Sequence, residues 1–264
     1  MTASTPEFRT MNVTRYVTPL REGGSLPAIV EADDGFLYVL KFRGAGQGAK
    51  ALIAEIVGGE IARALGLNVP ELVYANLDEA FGRIEGDEEI QDLLKASTGL
   101  NLGVHYLSGA ITFDPLVTRT SSVTASRIVW LDAFLMNVDR TPKNANMLWW
   151  NKELWLIDHG ASLYFHHAWP DTDPALKKFP QIKDHILLSH ATELERVRDE
   201  SVKVLTTDRI NDIVALIPGE WLEDDPYFHD AAKVADAYRN FLVSRIKHAD
   251  VLTNEAIHAR QALI

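Results

Sequence analysis

Residues 138–165 read VDRTPKNANMLWWNKELWLIDHGASLYF, and the pattern inside this stretch decides the reading of the whole chain. MLWW (147–150) and ELWLI (153–157) are short apolar runs of strand type, and Asn151-Lys152 between them predicts a two-residue hairpin turn. Ahead of the hairpin lies a loop, Val138 to Asn144. Behind it Asp158 ends the second strand, followed by a flexible corner at His159-Gly160. An apolar strand therefore delivers one carboxylate beside a loop that already carries Asp139 and, five positions later, Asn144. The loop is anchored at its other end. From Ala125 to Asn137 the residues Ile128, Val129, Leu131, Ala133, Phe134, Leu135 and Met136 crowd together, which predicts a helix buried on most sides.

Working outward toward the amino terminus, a polar leader runs to about Thr14. YVTPL (16–20), PAIVEA (27–32) and FLYVLKF (36–42), separated by REGGSL and DDG, then predict a small antiparallel sheet. After the glycine-rich loop RGAGQGAK (43–50), Leu52, Ile53, Ile56, Val57, Ile61, Ala62 and Leu65 mark one broad helical face, with Gly66 as its stop. Gly58 and Gly59 sit inside that helix at about a kcal/mol each relative to Ala, which points to close packing against a neighbour. NVPELVYANL (68–77) is extended, Asp87 to Ser97 predicts a short helix, and LGVHYLSGAITF (102–113) reads as one strand relaxed at Ser108-Gly109. Beyond Pro180 the pattern is helical almost to the end. The class is α+β, a small sheet with one helix followed by a mainly helical lobe, divided at 1–110 and 111–264.

Composition narrows the function classes. The 264 residues, 47% hydrophobic, suffice for one large domain or two lobes sharing a cleft. A formal charge of −11 repels phosphate backbones and anionic lipid, so nucleic acid and membrane insertion are poor expectations. With no cysteine, disulfides, thiolate metal sites and cysteine nucleophiles are excluded. No secretory leader or stretch of roughly twenty apolar residues is seen, so the expected location is the cytoplasm.

Asp139, Asn144 and Asp158 suit phosphoryl transfer, which needs oxygen ligands for one or two magnesium ions and a group that orients an acceptor hydroxyl. Asp139 is the candidate base; Asn144 and Asp158 are the candidate metal ligands. In the first half, Lys41 alternates with Leu40 and Phe42 and leaves the sheet on one face, placed to reach the α and β phosphates of ATP. Glu55 on the following helix is its candidate carboxylate partner, with Glu60 the alternative. The turn Glu22-Gly23-Gly24-Ser25 offers backbone amides to phosphate. Arg140 and Lys143 are placed either to meet the acceptor or to shape the loop.

These motifs, taken in order, resemble the HipA-like kinase family and, more distantly, the phosphatidylinositol kinases. The resemblance rests on VLK (39–41), AEIVGGEIARALGLNVP (54–70), DRTPKN (139–144) and IDHG (157–160). It implies a two-lobed protein-kinase-like fold, with ATP and Mg2+ as the cofactors. Lys41 would be the nucleotide lysine, Glu55 its helix partner, Asp139 the catalytic aspartate and Asn144 and Asp158 the magnesium ligands. Tyr106 to Ala110, with Leu107, would form the hinge beside adenine. Where the family loop usually reads Asp-Arg-His, this chain has Thr141 and then Pro142, so support of the loop must differ. The acceptor would be an unidentified hydroxyl, with protein Ser/Thr among the candidates. A nucleotide-binding pseudokinase is one alternative, and a metal hydrolase built on Asp158, His159, His166 and His167 is another. Trp130, Trp149, Trp150 and Trp155 are read as core packing rather than base-stacking platforms.

Overall fold

The alternation of the first strands is realised as a barrel. In the computed structural model, which describes residues 8–20, 26–169, 178–223 and 225–263, the chain divides into two units, Met1–Ile53 with Pro70–Gly109 and Ala54–Val69 with Ala110–Ile264. The first unit holds β1 (Thr10–Pro19), β2 (Ala28–Ala32), β3 (Leu37–Lys41), β4 (Leu72–Leu77) and β5 (Gly99–His105) in the closed order β1-β2-β3-β5-β4. Every second residue of β2 and β3 points inward, so Ala28, Val30, Tyr38 and Leu40 are fully buried and pack with Met11, Val73 and Ala75. Closure comes from a parallel pairing of β1 with β4, Thr10 opposite Tyr74 through Asn12 opposite Asn76; the remaining pairings are antiparallel. That pairing recruits residues expected to lie in a polar leader.

Helix α1 (Ala49–Ala64) ends where the glycine signal predicts: Gly66 takes a φ of +75°, and Leu67 N–H returns to the Ala62 carbonyl at 3.0 Å. Two further helices belong to the first unit: α3 (Glu88–Ala96) is the short helix expected over 87–97, whereas α2 (Ala80–Ile84) was not expected. Asp87 caps α3 by accepting from the amides of Glu89 and Ile90, and Ile90 and Leu94 complete the barrel core.

In the second unit, β6 (Ile111–Thr112), β7 (Met147–Trp150) and β8 (Glu153–Leu156) form a three-stranded sheet in that order. Residues 102–113 are thus not one strand: β5 ends at His105 and β6 pairs in the other sheet. Asn151 and Lys152, at φ of 50° and 65°, form the left-handed pair that a tight hairpin requires. Helix α4 (Ser122–Leu135) is buried from Ala125 to Leu135 except for Arg127, and Ser121 caps it through Thr124 N–H at 3.0 Å. On α4 pack α5 (Leu194–Val204) and α9 (Ala249–Gln261), while α6 (Thr207–Val214) and α7 (Gly219–Glu223) pack on α8 (Ala231–Lys247). Trp130 is fully buried, stacks on Phe134 and donates to Thr253 Oγ1 at 3.0 Å, as core packing requires. No helix among the described residues is long and apolar enough to cross a membrane.

Candidate active site

The loop that carries Asp139 starts from a fixed platform. The last four carbonyls of α4 have no intrahelical partner, and each is satisfied. Asn137 N–H takes Asp132 O at 2.9 Å, Met136 N–H and Arg245 share Ala133 O, Arg245 Nε takes Phe134 O at 3.1 Å, and Leu163 N–H takes Leu135 O at 2.8 Å. Arg245 is itself buried, and that burial lowers its pKa to about 10. Met136 caps the helix in the left-handed region, at φ 56°.

From this platform the chain makes a tight turn over Thr141-Pro142-Lys143-Asn144, closed by Thr141 N–H to Asn144 O and Asn144 N–H to Thr141 O, both 3.0 Å. The turn folds Asn144 back on Asp139, whose Oδ2 accepts from Asn144 Nδ2 at 2.8 Å and from Asn146 Nδ2 at 3.3 Å. Among the described residues Asp139 Oδ1 and Asn144 Oδ1 make no hydrogen bond, so each keeps an oxygen available. Asp158 sits in the left-handed region at φ 57°, directly after β8, and its carbonyl accepts from the same Asn146 amide at 3.5 Å. Asn146, itself at φ 46°, therefore spans the two halves of the predicted constellation. The exposed Asn144 and half-buried Asp158 supply neutral and anionic oxygens, a donor set suited to a hard divalent cation.

Beneath the turn lies an ionic cluster that the sequence reading missed. Asp132, fully buried on α4, accepts from Arg140 Nε at 2.6 Å and His185 Nε2 at 2.9 Å on one oxygen, and from Asn137 Nδ2 at 2.9 Å on the other. Burial alone would raise the pKa of this carboxyl, but the Arg140 charge and the His185 hydrogen bond outweigh it and hold the group well below the usual carboxylate range. Arg140 is 1% exposed, so of the two roles expected of it, shaping the loop is the one its burial permits. Exposed Lys143 remains at the surface. The signal for this cluster was Asp132 itself, one carboxylate in a helix with no other acidic residue, which demands a partner once buried.

Glu55, the candidate partner of Lys41, is 1% exposed; its Oε2 accepts from His159 N–H at 2.7 Å, one residue after Asp158. Glu60 pairs with Arg63 at 3.1 Å. Gly58, one turn on from Glu55, is where His159 packs: a Cβ there would lie 2.6 Å from His159 Cβ. Gly58→Ala therefore gains helix propensity of about 1 kcal/mol yet must displace His159. The expected net result is a loss of about 1–2 kcal/mol in urea unfolding. An unchanged midpoint would show that the helix and the His159 corner yield freely.

In the first unit, half-buried Lys41 ends β3 on the face opposite Tyr38 and Leu40, opposite Leu102 of β5. The following glycine loop is pinned by Arg43 N–H to Asn101 Oδ1 at 2.8 Å and Gly44 N–H to Ser97 Oγ at 3.1 Å. Tyr106 N–H bonds Leu37 O at 2.9 Å, and Leu107 is buried. Gly23, Gly24 and Ser25 lie outside the described residues. As for the histidine metal site, His166 Nε2 is 3.1 Å from His167 Nε2 and its Nδ1 is 2.9 Å from Tyr238 OH. No group of three or more His, Asp or Glu residues able to hold a metal occurs among the described residues.

Comparison with solved structures finds the crystal structure of a Helicobacter pylori proinflammatory kinase, CtkA, at a TM-score of 0.54 and 13% identity, covering 96% of this chain and 97% of that one. A Golgi casein kinase matches at a TM-score of 0.49 and 12% identity, over 97% of this chain and 72% of that one. The first likeness shows a kinase-like fold. Comparison with curated proteins finds no match. The family model described as HipA-like kinase matches residues 13–251, and with the ordered loop, hairpin and aspartate corner it leads to one conclusion: the chain belongs to the HipA-like kinase family, whose chemistry is phosphoryl transfer.

Proposed function

We propose that this chain is an ATP- and Mg2+-dependent phosphotransferase acting on a hydroxyl acceptor in the cytoplasm, with Asp139 as the catalytic base. The observation that carries the reading is the turn that folds Asn144 onto Asp139 at 2.8 Å while each residue keeps one oxygen without a hydrogen bond among the described residues. Asp139 Oδ1 is the atom that orients the acceptor hydroxyl and takes up its proton. Asn144 Oδ1 and the Asp158 carboxylate hold magnesium, which when bound neutralises charge on the transferred phosphoryl group. Lys41 is the lysine for the α and β phosphates, and Tyr106 and Leu107 contact adenine. Gly23, Gly24 and Ser25 supply amides to phosphate. Glu55, tied to the backbone after Asp158, fixes that corner. The acceptor class, protein Ser/Thr or a smaller hydroxyl compound, is set by residues outside this centre.

Calorimetry of ATP binding with and without Mg2+, for wild type and Asp158→Ala, tests the proposal, with the wild-type mixture followed for ADP, AMP and protein mass. The expected result is magnesium-dependent binding weakened by about 10-fold or more in the variant, with ADP formed. Normal magnesium-dependent affinity in Asp158→Ala would remove Asp158 from the site. AMP addition would replace the kinase reading with nucleotidyl transfer, and absence of binding with any divalent cation would end the nucleotide reading.

A further inference from the structure

We infer that Arg140, which touches no reacting atom, is the positioning residue that fixes Asp139, Asn144 and Asp158 relative to one another, anchored by Asp132, Asn137 and His185. The inference rests on the phosphotransferase reading above. Arg140 is next to Asp139 in the chain. Its Nη1 faces the carbonyl of Asn146 in a short hydrogen bond and those of Ala145 and Ile157 at 3.5 Å each. Ala145 follows Asn144, and Ile157 precedes Asp158. One guanidinium thus reaches the backbone beside all three residues at once.

Its own position is fixed from behind. Nε donates to Asp132 Oδ2 at 2.6 Å, and the Arg140 carbonyl accepts from Ile186 N–H at 3.1 Å. His185 Nδ1 accepts from Leu187 N–H at 3.0 Å, so its ring proton is on Nε2 and is donated to Asp132. Asn137 closes the circuit: Nδ2 donates to Asp132 Oδ1, and Oδ1 accepts from Asp139 N–H at 3.1 Å. In place of a histidine at position 141, the loop is supported by a buried arginine and by a histidine more than forty residues away in the chain. A planar fork with several donors in fixed directions suits this task, and a lysine, a point charge on a flexible stem, does not.

Arg140→Lys keeps the charge opposite Asp132 and loses the fork. In the full chain, kcat is expected to fall by about a hundredfold, as for misplacement of reacting groups by about an ångström. The affinity for Mg·ATP is expected to fall as well, by less than the roughly tenfold of Asp158→Ala, because both proposed metal ligands are displaced but neither is lost. Amide exchange should accelerate at 144–146 and 157–159 while α8 stays as protected as in wild type. A kcat within about twofold of wild type, or acceleration spread evenly over the second unit, would overturn the inference, because the second pattern is that of a purely structural residue. His185→Phe, which keeps a ring but removes the Nε2–H donor to Asp132 and leaves Arg140 in place, serves if Arg140→Lys does not fold: a severalfold loss of kcat with local exchange supports the inference, and an unchanged kcat overturns it. A wild-type chain that transfers no phosphate would defeat the proposed function instead, and the exchange pattern alone would then decide whether Arg140 positions the three residues.

Discussion

Asp139→Asn should lower kcat by about 10²–10⁴-fold with the fold intact. The substitution is nearly isosteric, and its environment tells the two atoms of the group apart. Oδ2 is occupied by two amide donors, Asn144 Nδ2 at 2.8 Å and Asn146 Nδ2 at 3.3 Å, so the new amide sets its oxygen there and its nitrogen at the position of Oδ1. The atom proposed to take up the acceptor proton is then a donor. Because the side chain is only half-buried and its hydrogen bonds survive, the expected change in unfolding free energy is within about 0.5 kcal/mol. ADP release at saturating ATP and acceptor, measured beside a urea melt, checks both parts. A variant that retains wild-type kcat would move the base elsewhere on the loop, and a variant that loses activity only because it unfolds would leave the side chain a structural one.

Local chemistry carried much of the fold into the sequence. The Asn151-Lys152 turn, the short helix starting at Asp87 and the Gly66 stop are each settled by a few neighbouring residues, and each is where the pattern puts it. Long-range pairing was not legible in the same way. Nothing within Thr10 to Asn12 reveals that they pair in parallel with residues some sixty positions later, and an apolar run such as 102–113 does not show that its two ends join different sheets. The same division holds at the candidate site. Asp139, Asn144 and Asp158 are close in the chain and were readable as a set, whereas Asn146 escaped because asparagine in a loop ordinarily builds turns. His185 escaped because its partner is set by tertiary packing alone; Glu55 was singled out as the partner of Lys41, but its hydrogen bond to the His159 amide joins segments about a hundred positions apart and was not legible.

The largest stability effect belongs to Asp132. Asp132→Ala should cost about 3–5 kcal/mol, because it leaves the Arg140 guanidinium buried without its counter-charge and the Asn137 and His185 donors without their acceptor. The charge, more than the lost contacts, dominates that figure. Removing Arg140 as well, in Asp132→Ala/Arg140→Met, should therefore cost less than the sum of the two single changes, although Met removes the Arg140 donor from the carbonyls of Ala145, Asn146 and Ile157. Acid should act through the same group. Its pKa is depressed in the folded state, so the stability it contributes is fully present above the unfolded carboxylate value near ~3.9 and is lost only as pH falls through the lower folded value. Wild type and Asp132→Ala should consequently differ in urea midpoint by a constant amount from neutral pH down to about pH 5, and converge below about pH 4. A single-variant loss under about 1 kcal/mol, or strict additivity in the double variant, would show that the cluster relaxes around a vacancy. A site free to relax in that way could not hold Asp139, Asn144 and Asp158 in register through Arg140.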